Sequence, residues 1–104
     1  MLDAKLETLL ILAEEKSFTK AANILSLTQP AVSNHISILE KEIGVKIFFR
    51  NKGEVKITPE GEIVVRYAKR IKNLYARMFD KIDELDRQSA RLRVGITHTS
   101  ESNE

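Results

Sequence analysis

The sequence predicts a mainly α-helical fold, in which a helix-turn-helix and a two-stranded wing are followed by one long helix. Within residues 17–44, two short amphipathic stretches are separated only by the tripeptide SLT. A β-rich stretch follows at 46–58, and a heptad pattern of apolar residues runs through 59–88. We therefore expect a winged helix-turn-helix domain at 1–58, a linker and dimerisation helix at 59–88, and the start of a further domain at 89–104.

The composition is that of a folded chain without cysteine chemistry. Hydrophobic residues make up 42% and charged residues 31% of the 104 residues, which argues against disorder. Because cysteine is absent, disulfides, thiolate catalysis and cysteine zinc sites are excluded. The formal net charge is only +2, so the placement of the charges has to decide whether nucleic acid is a partner.

The sequence offers no pattern for catalysis, a cofactor or a membrane. We find neither a nucleophile–base pair nor a glycine-rich phosphate loop, and His35 and His98 lack plausible metal-binding partners. No apolar run approaches the roughly 18 residues of a membrane span. We expect a non-enzyme with no cofactor, no metal and no membrane association. Four carboxylates are predicted to lie on helix surfaces: Glu14, Glu15, Glu40 and Glu42.

Helical spacing of apolar residues predicts two helices before the turn. The first should end near Lys16, and Ser17 suits the N-cap of the second because its hydroxyl can accept from first-turn N–H groups. Leu27, the large apolar residue of the turn, is expected to point inward. The predicted apolar positions are Leu2, Leu6, Leu9, Leu10, Ala13, Phe18, Ala21, Ala22 and Leu25.

The third helix is predicted to have one apolar face and one face of short polar side chains. Thr28 is a good N-cap, Pro30 is tolerated in the first turn, and Gly44 is a natural stop. The apolar stripe is Val32, Ile36, Leu39 and Ile43, and the opposite side carries Gln29, Pro30, Ser33, Asn34, Ser37 and Lys41.

The short side chains of the third helix favour close approach to DNA. A recognition helix has to reach base edges inside a major groove about 12 Å wide, and long side chains everywhere would hold it away. Gln29 and Asn34 are types that pair bidentately with adenine, and Pro30 offers an apolar surface to a thymine methyl group. We therefore predict a recognition helix at 28–43 that binds double-stranded DNA.

The stretch VKIFFRNKGEVKIT predicts a basic β-hairpin. Strands are expected near 46–50 and 54–58 around the turn NKG. Phe48 and Phe49 are adjacent, so one should reach the core and the other should be exposed or pack on a neighbour. Arg50 and Lys52 can reach the phosphates or the minor groove beside the recognition helix.

The last predicted helix carries a heptad seam that favours a homodimer. From 59 to about 88 it would be on the order of 45 Å long at 1.5 Å per residue, which a core made from the preceding residues cannot cover. A purely intramolecular core is the alternative. The seam positions assigned to the dimer interface are Val64, Ala68, Ile71, Tyr75, Met78 and Ile82.

From residue 9 to residue 61 the chain resembles the LysR-type transcriptional regulators. The segments SFTKAA, TQPAVS, LEKEIGVKIF and ITPEG, with Arg50 between the last two, stand in the family's order and spacing. The resemblance continues through the linker helix into RLRVGIT, which looks like the opening strand of the family's effector-binding domain. A hinge and this first strand are therefore expected at 89–104.

The resemblance implies how such a protein would act. It implies a dimer of antiparallel linker helices that binds an interrupted inverted repeat, a tetramer when the protein is full length, and a small-molecule inducer in the effector domain. It also implies a cytoplasmic protein associated with the nucleoid. By position, it assigns Gln29, Pro30, Ser33 and Asn34 to the major groove, Thr28 to a cap and backbone contact, and Arg50 to the wing contact.

Two other classes of protein remain open at this point. Another winged-helix regulator, such as a MarR-like or ModE-like one, would place its dimer helices differently or carry a different ligand domain. A winged helix used only as a protein-interaction module would bind no duplex, and its affinity would be insensitive to salt.

Overall fold

The computed structural model describes residues 3–51 and 54–92, which form four helices and one antiparallel hairpin. This order confirms the predicted fold class. By contacts, the chain divides after Lys72 into two compact units, and the last helix contributes residues to both. The elements are α1 (Ala4–Glu15), α2 (Phe18–Leu25), α3 (Gln29–Ile43), β1 (Phe48–Asn51), β2 (Glu54–Ile57) and α4 (Pro59–Leu92).

Side-chain caps set the starts of α1, α2 and α3. Each cap oxygen accepts a hydrogen bond from a first-turn backbone N–H that has no partner inside the helix. At α1, the hydrogen bond from the backbone N–H of Lys5 favours the charged carboxylate and lowers the pKa of Asp3 below its ordinary value of 3.8. The cap distances are 2.8 Å for Asp3–Lys5, 3.2 Å for Ser17–Lys20 and 3.2 Å for Thr28–Ala31.

The core of the first unit lies where α1, α2 and α3 meet the wing and the start of α4. The predicted stripe of α3 is correct at three positions and wrong at Ile43, which is 46% exposed because it is the last residue of the helix, where Gly44 turns the chain. Leu27 is also not tucked inward but 36% exposed, since the left-handed Ser26 redirects the chain there. The buried apolar residues are Leu9, Leu12, Ala21, Ala22, Val32, Ile36, Leu39, Ile47, Phe48, Val65 and Ala68.

The wing begins and ends close to the predicted boundaries. Phe48 pairs with Ile57 across the hairpin and is 2% exposed, whereas its neighbour Phe49 is 51% exposed. This confirms that the two aromatic rings lie on opposite faces of the strand. Arg50 pairs with Val55 and shares the inward face with Phe48, because side chains alternate along a strand.

The start of α4 is tied to the chain that leads into β1. The Thr58 hydroxyl donates to the Lys46 carbonyl at 2.6 Å and accepts from the Gly61 N–H at 2.8 Å. A Cβ atom on Gly61 would collide with the carbonyl oxygen of Ile47 and lie 2.8 Å from Cγ1 of Ile57. Close packing against this backbone is therefore the reason for a glycine inside the first turn of the helix.

The last helix extends beyond the predicted end at residue 88. Residues 89–92 are helical, so the predicted hinge does not begin at 89. Of the strand expected in RLRVGIT, Arg91 and Leu92 belong to the end of α4, and the rest lies outside the described residues from 93 onward. In the part of the chain that the structure describes, no helix combines the length and apolar character needed to cross a membrane.

Candidate nucleic-acid interface

The predicted reading residues lie together on one side of α3. Gln29, Pro30 and Asn34 are exposed and Ser33 and Ser37 are half-buried, while the opposite side of the helix is anchored in the core. Thr28 stands exposed at the N-cap of the same helix. The fold thus presents a continuous face of short polar side chains, as the helical spacing predicts.

Gln29 is held toward α2. Its Nε2 donates to the Thr19 hydroxyl at 2.8 Å, which uses one N–H of the amide. This bond does not use the amide oxygen or the second N–H, which are the groups that a bidentate contact with adenine requires. Thr19 was not singled out from the sequence, because the contact joins two helices.

Arg50 lies across the recognition helix instead of extending from the wing. Its Nη1 donates to the Ser33 hydroxyl at 2.8 Å, and its Nη2 is 3.5 Å from the Ser37 hydroxyl. The guanidinium carbon also lies 5.8 Å from the centre of the Phe18 ring. The sequence predicted the arginine and the serines as separate contacts, whereas the structure brings them into one hydrogen-bonded group.

Glu40 completes this group and was predicted incorrectly as a surface carboxylate. Its side chain is only 9% exposed. Oε2 accepts from the backbone N–H groups of Ile47, at 2.9 Å, and Phe48, at 3.4 Å. Oε1 lies 3.8 Å from Nη2 of Arg50 and 4.0 Å from Nζ of Lys46. The carboxylate therefore links α3 to the root of the wing and to the wing arginine.

The helical spacing held a signal for this role of Glu40. Ser33, Ser37 and Glu40 are separated by four and three residues, so they share one face of a helix. A carboxylate on that face, followed closely by a hairpin with an arginine, is a candidate partner for it. The spacing alone does not give the direction of the hairpin, so the contact itself could not be predicted.

Residues of α2, α3 and β1 surround a hollow of about 350 Å³ on this side of the molecule. Three predicted DNA-binding residues of α3 and the wing arginine line it together with the ring of Phe18. The lining residues are Phe18, Gln29, Pro30, Ser33 and Arg50. The predicted interface thus includes a shallow, open depression beside the recognition helix.

His35 joins α3 to α1. Its Nδ1 lies 2.7 Å from the hydroxyl oxygen of Thr8, a side chain that is buried. The Thr8 hydroxyl donates to the Ala4 carbonyl at 3.0 Å, so its oxygen accepts the Nδ1 proton and the histidine serves packing between helices. Among residues 3–51 and 54–92, no group of three His, Asp or Glu side chains is placed to hold a metal ion.

The predicted dimer residues do not share one environment. In the first unit, Ala68 is 2% exposed within the chain's own core, so its assignment to a dimer interface is wrong. Val64 is half-buried against that core, and Ile71 is exposed. In the second unit, Met78 and Ile82 are exposed and Tyr75 is half-buried.

Lys52 lies outside the described residues. The heptad spacing also includes Leu85 and places Tyr67, Leu74 and Phe79 beside the seam. These four residues and Ile63 are exposed.

Comparison with known proteins gives consistent matches. Residues 4–62 match the family model described as the bacterial regulatory helix-turn-helix protein, lysR family. The chain is 38% identical over 82 residues to YkuM, an uncharacterized HTH-type transcriptional regulator of Bacillus subtilis, and covers 28% of that protein. The match takes in 79% of the present chain.

Several similar solved structures contain DNA, and two of them serve as examples. A complex of the BenM DNA-binding domain with benA site 1 DNA superposes with a TM-score of 0.74 at 34% identity, covering 78% of this chain and 94% of that one. BenM is a regulator of Acinetobacter baylyi. Vibrio fischeri DarR in complex with DNA gives a TM-score of 0.75 at 30% identity, with 85% of this chain and 30% of that one covered.

Proposed function

Since the chain belongs to the LysR family of bacterial helix-turn-helix regulators, we propose that it binds an inverted-repeat site in double-stranded DNA as a homodimer and so regulates transcription. The observation that carries the proposal is the exposed face of short polar side chains on α3, bordered by Arg50. The chain acts by binding and not by catalysis, and its place is the cytoplasm, where the DNA lies. Regulators of this kind that are similar to it have been solved in complex with DNA.

The recognition helix would read bases and the wing would contact the backbone. Gln29, Pro30, Ser33 and Asn34 face the major groove, and Ser37 follows them one turn later. Short side chains let the helix enter the groove, and phosphate contacts fix its register. The site residues proposed for DNA are Thr28, Gln29, Pro30, Ser33, Asn34, Ser37, Arg50 and Lys52.

Exposed apolar side chains on α4 support a second copy of the chain as partner. In the first unit, Ile63, Tyr67 and Ile71 are exposed at intervals of four residues. A helix that exposes a row of large apolar side chains to water indicates a protein–protein contact. The second unit contributes Leu74, Met78, Phe79, Ile82 and Leu85, which are also exposed.

Two-fold symmetry connects the dimer to the DNA site. A symmetric dimer carries two copies of α3, which match two half-sites about one duplex turn, roughly 34–36 Å, or a multiple of it apart. The chain spans about a quarter of the length of YkuM. Tetramer formation and control by a small-molecule inducer therefore belong to the proposal for a longer protein.

Binding to duplex DNA and the oligomeric state test this function directly. The protein is titrated against a fluorescent duplex that it selects from a randomised pool, and against a shuffled duplex, over a series of salt concentrations. Its mass in solution is measured by light scattering. We expect a dimer, a clear preference for the selected duplex, and an affinity that falls steeply with salt. A monomer that ignores both duplexes even at low salt would favour the protein-interaction module instead.

A further inference from the structure

We propose that Glu40 is a positioning residue for DNA recognition, which holds the Arg50 guanidinium over Ser33 and thereby raises the discrimination between DNA sequences. The inference rests on the DNA-binding function proposed above. It goes further because it gives a purpose to an acidic residue beside the reading face, where a negative charge would repel the phosphates of the duplex.

The two carboxylate oxygens of Glu40 serve different parts of the wing. Oε2 accepts the N–H groups of Ile47 and Phe48, where the chain enters β1. Oε1 faces the cations of Arg50 and Lys46 at 3.8 and 4.0 Å. A carboxylate that is nine-tenths buried needs such partners, since an unpaired buried charge is strongly unfavourable. Contacts at both oxygens therefore fix the position of the carboxylate, whereas a surface ion pair is flexible.

Glu40 and the two serines hold the guanidinium group from one side. Ser33 accepts its Nη1 proton, whereas Nη2 lies between Ser37 at 3.5 Å and Glu40 at 3.8 Å. A guanidinium is planar and its N–H groups point in fixed directions, so contacts at both of its terminal nitrogens fix its orientation. Glu40 supplies the charge in this set, which keeps the arginine against α3 rather than extended into solvent.

This orientation determines how Ser33 presents itself. A serine hydroxyl has one proton, and its oxygen accepts from Arg50. The proton is then left to donate outward, so Ser33 offers a donor on the reading face. Acceptors on base edges in the major groove, such as guanine O6 and N7 or thymine O4, suit this donor, whereas the amino groups of cytosine and adenine would have to use the one remaining lone pair of an oxygen that already faces a cation.

The same carboxylate lowers the attraction for DNA that does not depend on sequence. Its negative charge partly cancels those of Arg50 and Lys46, which phosphates of any duplex would attract. Glu40 thus has two expected effects: weaker binding to arbitrary DNA and a better-defined reading face. A residue that served only to attach the wing would not orient Arg50, so it would not sharpen the discrimination between DNA sequences.

The substitution Glu40→Gln separates these effects from attachment of the wing. The amide oxygen of glutamine can still accept from the N–H of Ile47, but the charge that faces Arg50 is lost. With the selected and shuffled duplexes described above, we expect the ratio of the two affinities to fall about tenfold, the size of one lost base contact. Affinity for the shuffled duplex should rise severalfold. Glu14→Gln removes the same charge from an exposed position on α1 and should leave the ratio unchanged.

A double variant distinguishes positioning from a merely structural role. If Glu40 acts through Arg50, Arg50→Gln alone should lower the ratio, and adding Glu40→Gln should lower it no further. The proposal would be overturned if the double variant lost the product of the two single-variant losses in the affinity ratio, because the two residues would then act independently. It would also be overturned if the Glu40→Gln protein kept the affinity ratio of the wild type.

Arg50→Lys keeps the proposal testable if Glu40→Gln fails to fold. Lysine retains the charge but has no planar group to fix Ser33, so the ratio should fall while affinity for the shuffled duplex is kept. An Arg50→Lys protein that discriminates as well as the wild type would contradict the role of the held guanidinium. If the wild-type protein itself binds no duplex, the proposed function fails, and that result differs from each of the others.

Discussion

At the scale of single residues, Arg50 and Ser33 show how the wing and the recognition helix form one surface. The arginine belongs to β1 but forms its hydrogen bond on α3, 17 residues earlier in the sequence. The residue types proposed for DNA binding follow from helical spacing, whereas the bond between them does not. A side chain at position 33 therefore has to satisfy the arginine as well as the proposed contact with DNA.

Replacing Ser33 by arginine tests whether this face of α3 reads sequence. A long cation would hold the helix away from the base edges, and it would also repel the adjacent Arg50. We expect Ser33→Arg to lose its preference for the selected duplex while the protein stays folded and dimeric. Titration with both duplexes, circular dichroism and light scattering measure these three properties.

Ala76→Arg is the matched control for the added charge. Ala76 is exposed on α4, in the second unit, and is not one of the proposed DNA-binding residues. The Ala76→Arg protein should keep the wild-type preference for the selected duplex. If Ser33→Arg keeps that preference too, α3 does not read the bases through this face.

At the scale of secondary-structure elements, the beginning of α4 depends on contacts with the chain that precedes β1. Thr58 caps the helix and donates to the Lys46 carbonyl, and Gly61 packs against the Ile47 carbonyl. These contacts connect segments more than ten residues apart. The first turn of α4 is therefore stabilised by tertiary contacts as well as by its own sequence.

Thr58→Val should destabilise the protein by about 2 kcal/mol. Valine has nearly the same shape but cannot accept from the Gly61 N–H, and loss of a helix cap costs roughly 0.5–2 kcal/mol, with a further penalty for a buried N–H left without a partner. Urea unfolding measures the change in the free energy of unfolding. Thr58→Ser keeps the hydroxyl and should lose about half as much or less; equal losses would show that the missing methyl group matters more than the cap.

Gly61→Ala should also destabilise, although alanine is the better helix former. The helix would gain about 1 kcal/mol from alanine, but overpacking typically costs about 1–3 kcal/mol and more where backbone must move. Since the added Cβ meets a carbonyl oxygen of the backbone, we expect a net loss of about 2 kcal/mol in urea unfolding. Lys69→Ala, at an exposed position of α4, should change stability by only a few tenths of a kcal/mol. An increase in stability for Gly61→Ala would contradict the close contact.

At the scale of the whole molecule, the proposed activity depends on a second copy of the chain. Each copy supplies one recognition helix, and linking two of them makes binding of the second half-site intramolecular. Ala68 is buried in the core of the single chain. We therefore expect the partner to pack against the exposed row of Ile63, Tyr67 and Ile71. Dimerisation and tight DNA binding should therefore be lost together.

Ile71→Glu tests this link. Ile71 is exposed in the single chain, so the fold should persist, but a carboxylate in an apolar interface lacks a partner and should shift the protein to monomer. Affinity for a duplex with both half-sites should fall by about a hundredfold, the lower end of the gain expected from linking two binding modules. Light scattering and DNA titration measure the two effects.

Ala76→Glu provides the control for that substitution. Ala76 is five residues after Ile71, so at about 100° per residue it lies on another side of α4. Ala76→Glu adds the same charge there, and we expect no change in the mass of the protein in solution or in its affinity for DNA. An Ile71→Glu protein that remains a dimer would place the interface elsewhere on the chain.

The sequence by itself determined the order of the elements and most of their boundaries. Caps such as Ser17 and Thr28, the left-handed Gly44 and the spacing of apolar residues all act over a few residues, so they are legible without the fold. The reading face of α3 is local in the same sense, because it is the side of one helix opposite its apolar stripe.

Only the tertiary structure decided which side chains meet across elements. Glu40 under the wing, Arg50 over Ser33, Ala68 in the core and Gly61 against Ile47 each depend on how one element lies on another. Spacing within a helix gives the side on which a residue lies. It does not give what packs there, since the direction of a hairpin and the depth of a contact are set by the summed packing of the entire core.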